Sequence, residues 1–363
     1  MTNLSLSPTV EKILEIARWA PSGDNAQPWS FYVQSEDTLE LRIHHQSGNV
    51  YEYRGGEPTL ISAGTLLENI EIASAAFGKK ASWEYVGYSN GSDRIEVSFV
   101  DQAMSTLPDL FEQISKRSVD RRPYKMRPLR GSDKLDLSNS VDENIVVEWY
   151  ESLSERRKMA SLTKMATDIR LRIPETFEIH NRIVDWDNRQ STSGIPSRSL
   201  GLDAVTLRLM RWSLANKSRT DFANFLGSPF FAALQMDVLP GIFSAAYFTF
   251  RVANRPIERH AAAVQLLKVG QSVQRFWLVA TKAGLALQPC LAVLAFSHYG
   301  ASAEPFTVLR SAQRAAAELA QRVKGTFADP DNLLFFGRIG WPRSAITSRS
   351  IRRPLSQLID RAR

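Results

Sequence analysis

The chain has 363 residues, a 44% apolar fraction and a formal net charge of +7, enough for a substantial core in one large domain or two moderate ones. A single cysteine, Cys290, excludes an internal disulfide framework and a multi-cysteine zinc site; five scattered histidines, with His44 and His45 adjacent, give no metal-ligand spacing, so no metal is expected. The positive charge is spread along the chain, with short clusters at 117–130 and 343–353 and no zinc-finger, RNP-type or long basic-helix pattern, which points away from nucleic acid and toward small phosphates that match guanidinium forks. In chain order, Ser7-Pro8 reads as an N-cap and N1 proline ahead of an amphipathic helix that must stop by Pro21. PSGDNAQPW is a polar turn, WSFYVQ and LELRIHH are strands, and residues 59–77 form a nearly all-apolar central helix closed by Gly78. WEYVGY and RIEVSFV flank the turn SNGSD.

A boundary is expected near residues 105–130, where KRSVDRRPYKMRPLRGSD is basic, proline-bearing and without apolar period. Beyond it, IVVEWY and AAYFTF are strands, 152–172 is a helix, and 173–240 is mainly helical around a looser piece, DNRQSTSGIPSRSLG, with the composition of a loop or lid. Helices are expected over 260–287 and 301–323, with a buried strand at LLFFGRIG and a basic tail. The run Phe276 to Phe296 is long enough to span a bilayer, but Lys282, Gly284, Gln288 and Pro289 near its middle favour a soluble helix that hands over to another element. With no secretory pattern in Met1 to Pro8, the expected location is the cytoplasm and no membrane contact is foreseen.

The run ARWAPSGDNAQPWSFYV, with Ala20, Pro21, Ser22, Asn25, Gln27, Pro28 and Trp29, resembles the first-helix-to-strand segment of the nitroreductase family. That family's arginine-rich start is missing before the first helix; an arginine run appears instead as KRSVDRRPY, with Arg117, Arg121, Arg122 and Pro123. It is similar to the opening of the second half in the twin-domain, Acg-like branch, with Asp120 and Tyr124 where Asn and Phe are usual. GQSVQRFWLVATKAGLALQP and LLFFGRIGWPR followed by IRRPL resemble the family's central helix and its closing strand and tail.

The resemblance implies an α+β fold, a nitroreductase-like three-layer α/β/α sandwich whose two halves, 1–115 and 116–363, form a single-chain pseudo-dimer with a helical lid insertion near 190–240. It implies one FMN per chain, assembled from the Asn25 loop of one half and the arginine run of the other. Pro21, Ser22, Asn25 and Gln27 would contact the flavin. Arg117, Arg121 and Arg122, with Arg352 or Arg353, would hold its phosphate and ribityl chain, and the backbone around Gln288, Pro289 and Leu291 would face its reactive edge. No Gly-x-Ser-x-Gly elbow and no Gly-x-Gly-x-x-Gly loop occurs, so any NAD(P)H would bind over the flavin face, and no catalytic side chain is singled out. The expected activity is hydride transfer from NAD(P)H to a small-molecule acceptor, by a monomer or homodimer. A flavin-sequestering protein with a closed lid, or an accessory flavoprotein beside a ThiF-like adenylating partner, are the alternatives.

Overall fold

The computed structural model describes residues 5–103, 108–302 and 304–360; parts of the opening segment, of the expected 105–130 boundary and of the expected 301–323 helix lie outside them. The chain begins with α1 (Pro8–Ala17), capped by the Ser7 hydroxyl, which accepts from the Val10 amide at 3.4 Å. A hairpin of β1 (Trp29–Ser35) and β2 (Thr38–His44) leads to α2 (Glu57–Ala76), buried along most of its length. β3 (Lys79–Ser89) and β4 (Ser92–Asp101) turn at Asn90 and Gly91, both with positive φ (50° and 78°) as a two-residue hairpin loop requires.

The basic stretch then runs extended, with Val119 bridging Leu287 and Lys125 bridging Trp341. It ends in α3 (Gly131–Asn139), a helix not expected from the sequence. β5 (Ile145–Tyr150) precedes α4 (Leu153–Arg172), which opens with a Ser152/Glu155 capping box. A mostly helical segment follows: α5 (Pro174–Ile183), three two-residue strand pieces within 184–196, then α6 (Ala204–Leu214), α7 (Lys217–Phe225) and α8 (Ser228–Ala233). β6 (Ala246–Val252) leads into the second long helix, α9 (Arg259–Lys282).

Two expected helices are shorter than the apolar pattern implies. The helix expected over 260–287 stops at Lys282, because Gly284 takes φ 75° and residues 286–289 become β7 (Ala286–Pro289). The helix expected over 301–323 begins only at Arg310, as α11 (Arg310–Lys324), beyond Pro305, and a separate helix, α10 (Ala292–Ser302), precedes it. β8 (Leu333–Gly340) is buried throughout, and the tail ends in β9 (Ile359–Asp360).

The fold is α+β. One sheet has the order β9-β1-β2-β4-β3, and the other β7-β8-β6-β5. The last described strand, β9, pairs parallel to β1, so the C-terminal tail closes the sheet made by the N-terminal segment. β8 contributes to two cores: Leu334 and Phe335 join the one that holds residues of α9, while Leu333 and Phe336 join residues of α4, α10 and α11. The second sheet therefore has helices on both faces. The first buries one face against α1 and α2, and alternate residues of β3 and β4 on its other face stay partly open. Among the described residues no helix is long and apolar enough to cross a membrane; α7 with the helical run Ser228–Ile242 passes that test only as a pair bent by 80°.

The two long helices meet at glycines. A Cβ on Gly64 would lie 2.1 Å from the Leu267 carbonyl oxygen, and one on Gly270 2.1 Å from the Ile61 carbonyl oxygen. Polar pairs line the same seam. Gln274 donates to Asn69 at 2.7 Å, Arg275 donates twice to Glu68 at 2.7 Å, and Gln271 donates to Glu71 at 2.7 Å. Since the neighbour in each glycine contact is backbone, no rotamer change relieves an added methyl. Gly64→Ala and Gly270→Ala are each expected to lower unfolding free energy by about 3 kcal/mol. Gly131→Ala, at the start of α3 with open space around it, should be neutral or stabilise by up to about 1 kcal/mol; urea denaturation of the three variants checks both.

Candidate functional site

The N-terminal loop is held in an uncommon backbone conformation. Asp24, Asn25 and Gln27 have φ of 50°, 58° and 49°, a region that non-glycine residues enter rarely and that recurs at functional sites. Ser22 accepts from the Gln27 amide at 2.9 Å, and Thr65 of α2 donates to the Pro21 carbonyl at 2.9 Å. The Gln27 side chain donates to the carbonyls of Asn25 (3.0 Å) and Thr192 (2.9 Å) and accepts from the Arg353 amide at 2.8 Å. Asn25 donates to the Ile351 carbonyl at 3.0 Å, while its buried Oδ1 has no partner. Gln27 thus ties the loop to the tail, and Asn25 does so while keeping an acceptor free.

Against this loop stands the arginine run. Its side chains divide between two sides. Arg117, Ser118, Val119 and Arg121 line the space beside the loop. Arg122 faces away, donating to Asp120 at 2.9 and 2.8 Å and to the Ser344 hydroxyl at 2.9 Å. It lines neither of the spaces described here, and Asp120 accounts for its charge. From the tail, Arg352 enters the site, donating to the Ala20 carbonyl at 2.8 Å. Arg353 instead donates to the carbonyls of Ala26 and Gln27 and stays outside.

The result is a recess of about 70 Å³ whose lining includes Ser22, Asp24, Asn25, Ser118 and four arginines, Arg117, Arg121, Arg349 and Arg352. Among the described residues none of the four forms an ion pair. Arg117 is 3% exposed, lies over the Trp277 ring at 4.5 Å, and leaves its Nε without a partner. Burial, then Arg352 and Arg349, push its pKa well below the usual arginine value. Arg352 is pushed down to about 9 by burial, then by Arg349 and Arg18. A guanidinium does not readily give up its proton, so these shifts measure how poorly the cations are compensated and how strongly an anion would be welcomed. Arg349, whose Nε is also unpartnered, lies in the basic 343–353 cluster but outside the IRRPL run, so the sequence singles out Arg352 and Arg353 instead.

The recess opens beside a cavity of about 740 Å³ that shares Pro21, Ser22, Asp24, Val119, Arg121 and Ile195 with it. This volume is in the range of small-molecule and cofactor sites, about 300–1,000 Å³. Ile61 and Thr65 of α2 and Val273 and Trp277 of α9 line one side; Gln288, Pro289, Leu291 and Phe335 come from the second sheet and the turn after it. Leu200, Leu209, Met210, Trp212 and Phe231 line it from the 190–240 segment. Gln27, Arg122 and Arg353 are the sequence candidates that touch neither space.

A second residue missed in sequence organises this wall. Arg338 on β8 is 1% exposed and donates to the Gln288 Oε1 at 2.9 and 2.6 Å, to the Arg121 carbonyl at 2.7 Å and to the Pro240 carbonyl at 3.2 Å. It joins the arginine run, the 286–289 strand and the end of the helical segment. The one signal was an arginine inside an otherwise apolar strand. Next to Gln288, the Cys290 thiol is pushed up to about 12 by burial, so it is no thiolate nucleophile at neutral pH.

Residues 7–54, which include the Asn25 loop, match the model of the Nitroreductase family. An uncharacterized protein of Mycobacterium tuberculosis (strain CDC 1551 / Oshkosh) is 25% identical over 289 residues, 78% of this chain; the chain spans only 38% of that relative's length. Among solved structures, the FMN-dependent nitroreductase NfnB of Mycobacterium smegmatis, in complex with NADPH, is 15% identical. It covers 69% of this chain and 97% of its own, with a TM-score of 0.34. A putative nitroreductase of Anabaena variabilis is 10% identical, covering 84% of this chain and 69% of its own, with a TM-score of 0.38. Overlaps this loose leave the fold to stand on its own topology.

A recess with four arginines and one carboxylate makes a direct prediction. Inorganic phosphate at a hundredfold its dissociation constant should stabilise the ligand-free chain by about 2.7 kcal/mol, read as a rise in melting temperature. Arg352→Gln should abolish that rise. Arg349→Gln, which removes a like charge, should leave the anion-free chain as stable or more so.

Proposed function

We propose that this chain is an FMN-dependent oxidoreductase of the nitroreductase type, taking hydride from NAD(P)H and passing it to a small acceptor, with one FMN site per chain. The observation that carries the reading is the recess of four arginines, none of them ion-paired among the described residues and with Asp24 the one carboxylate in its lining, closed against the Asn25 loop. A buried cluster of this kind fits a dianionic phosphate, which accepts charge-assisted hydrogen bonds from several guanidinium groups at once. The orphaned Nε atoms of Arg117 and Arg349 and the free Oδ1 of Asn25 are donors and an acceptor in want of a ligand.

On this reading Arg117, Arg121, Arg349 and Arg352, with Ser22 and Ser118, hold the phosphate end. The adjoining cavity, flanked by Pro21, Val119 and Gln288 to Leu291, takes the ring system. Bound FMN supplies the hydride chemistry. The chain's own part is to position and to exclude. Arg338 fixes the Gln288 wall, Thr65 fixes Pro21, and the apolar side chains of the 190–240 segment keep bulk water from the cavity. The two segments 1–115 and 116–363 act as a pseudo-dimer in one chain, each bringing a contribution the other lacks, with the tail crossing back to seal the joint.

The apolar roof over the cavity favours a second reading, in which the site retains flavin but is closed to the nicotinamide. Anaerobic mixing with NADPH separates the two. Bleaching of the flavin absorbance supports the enzyme; a flavin reduced by dithionite and inert to NADPH and NADH supports sequestration.

Arg117→Gln is expected to weaken FMN binding ten- to a hundredfold, roughly the 1.5–3 kcal/mol of a charged hydrogen bond, by fluorescence titration. Arg122→Gln should change it by less than about threefold, since that side chain is committed to Asp120 and faces away. Equal losses in both variants would contradict the assignment.

A further inference from the structure

Beyond the recess, the cavity contains a second cation with no local partner. Arg170 is in the last turn of α4 and lines the cavity but not the recess. Its Nε is buried without a partner, and its one side-chain hydrogen bond runs to the Met236 sulfur at 4.0 Å, a weak acceptor. Among the described residues no carboxylate forms an ion pair with it. Asp24 and Asp237 feel its charge without forming an ion pair with it. Burial pushes both carboxyls up, Asp237 to about 6, and Arg170 opposes that rise in each.

Two neutral hydrogen-bonding groups share this end of the cavity. The Tyr51 hydroxyl and His180 Nε2 are 3.0 Å apart, Tyr51 from the loop before α2 and His180 from α5. Burial first, and Arg170 second, hold the His180 imidazole down to about 3, so it is neutral at physiological pH. Three separate elements therefore bring one unsatisfied guanidinium and two neutral polar groups to one end of the cavity, with Leu209, Met210, Trp212 and Phe231 among its apolar lining.

We propose that Arg170, Tyr51 and His180 form a substrate subsite for the carboxylate of an aromatic acid, whose ring lies against the apolar side chains of the 190–240 segment. The planar fork of Arg170 matches a carboxylate, and the apolar lining takes the ring. A phosphate monoester is less suited, since the recess already provides the multi-arginine environment that a dianion needs. The proposal rests on the flavin reading for the identity of the neighbouring cofactor, but the subsite itself requires only the chain.

The test is binding of benzoate and of benzamide, its neutral counterpart, to the FMN-loaded protein, followed by calorimetry and by the flavin difference spectrum. Benzoate should bind more tightly than benzamide. Arg170→Gln should weaken benzoate at least tenfold, leaving benzamide and FMN affinity within about twofold. Arg170→Lys should recover part of the loss, and Arg117→Gln, measured at saturating FMN, should not alter benzoate binding. Unchanged benzoate affinity in Arg170→Gln, or no benzoate binding by the wild-type protein, overturns the subsite. Loss of FMN affinity in Arg170→Gln also overturns it, because Arg170 would then serve the flavin. If the chain takes up no FMN, the flavin reading fails by itself. Calorimetry on the ligand-free chain then decides the subsite by the same Arg170→Gln comparison.

Discussion

The contact on which the site depends is the crossing of two long helices at Gly64 and Gly270, where a single methyl would meet carbonyl oxygen at 2.1 Å. Backbones this close bring the side chains on either side of the crossing to one place. Ile61 and Thr65 from one helix, and Val273 and Trp277 from the other, line the same cavity. Thr65 then fixes Pro21 by a hydrogen bond, while Trp277 lies under Arg117. The N-terminal loop and the arginine run, about a hundred residues apart in sequence, are thereby each anchored to one member of the same helix pair. Gln274 to Asn69 and Arg275 to Glu68 satisfy polar groups buried along the seam, which would otherwise work against its closure.

The tail supplies the second constraint. It pairs with β1 through Ile359 and Asp360, accepts the Asn25 side chain at the Ile351 carbonyl, and delivers Arg349 and Arg352 to the recess. Four arginines with only Asp24 beside them repel one another and incur desolvation as well. The fold supports this through carbonyl acceptors at Ala20, Ser115 and Ser199 and aromatic faces at Trp19 and Trp277. Such an arrangement is far more economical with an anion present than without one.

Much of this was legible in the sequence, for physical reasons that differ by element. The Ser7 cap, the long central helix ending at Gly78 and the Asn90-Gly91 hairpin follow local rules, and the structure keeps them. Pattern length misled where one residue overrides periodicity. Gly284 ends α9 early, and the helix expected from residue 301 starts only at Arg310, beyond Pro305. Among the site residues, counting arginines selects Arg122 beside Arg117 and Arg121, because composition does not say which way each side chain faces. Residues 117, 118, 119 and 121 line the recess, while Arg122 pairs with Asp120 and faces away. Arg338, Arg349 and Arg170 had no local motif at all. Their roles come from contacts made across the fold, which a sequence pattern does not encode.

The central claim, a single phosphate-anchored flavin site assembled across the helix crossing, is tested most directly by the stoichiometry of FMN uptake. Ligand-free chain titrated with FMN and followed by flavin fluorescence, with the chain concentration fixed by amino-acid analysis, should saturate at one FMN per chain. Saturation at two per chain, or no saturable uptake, would contradict it.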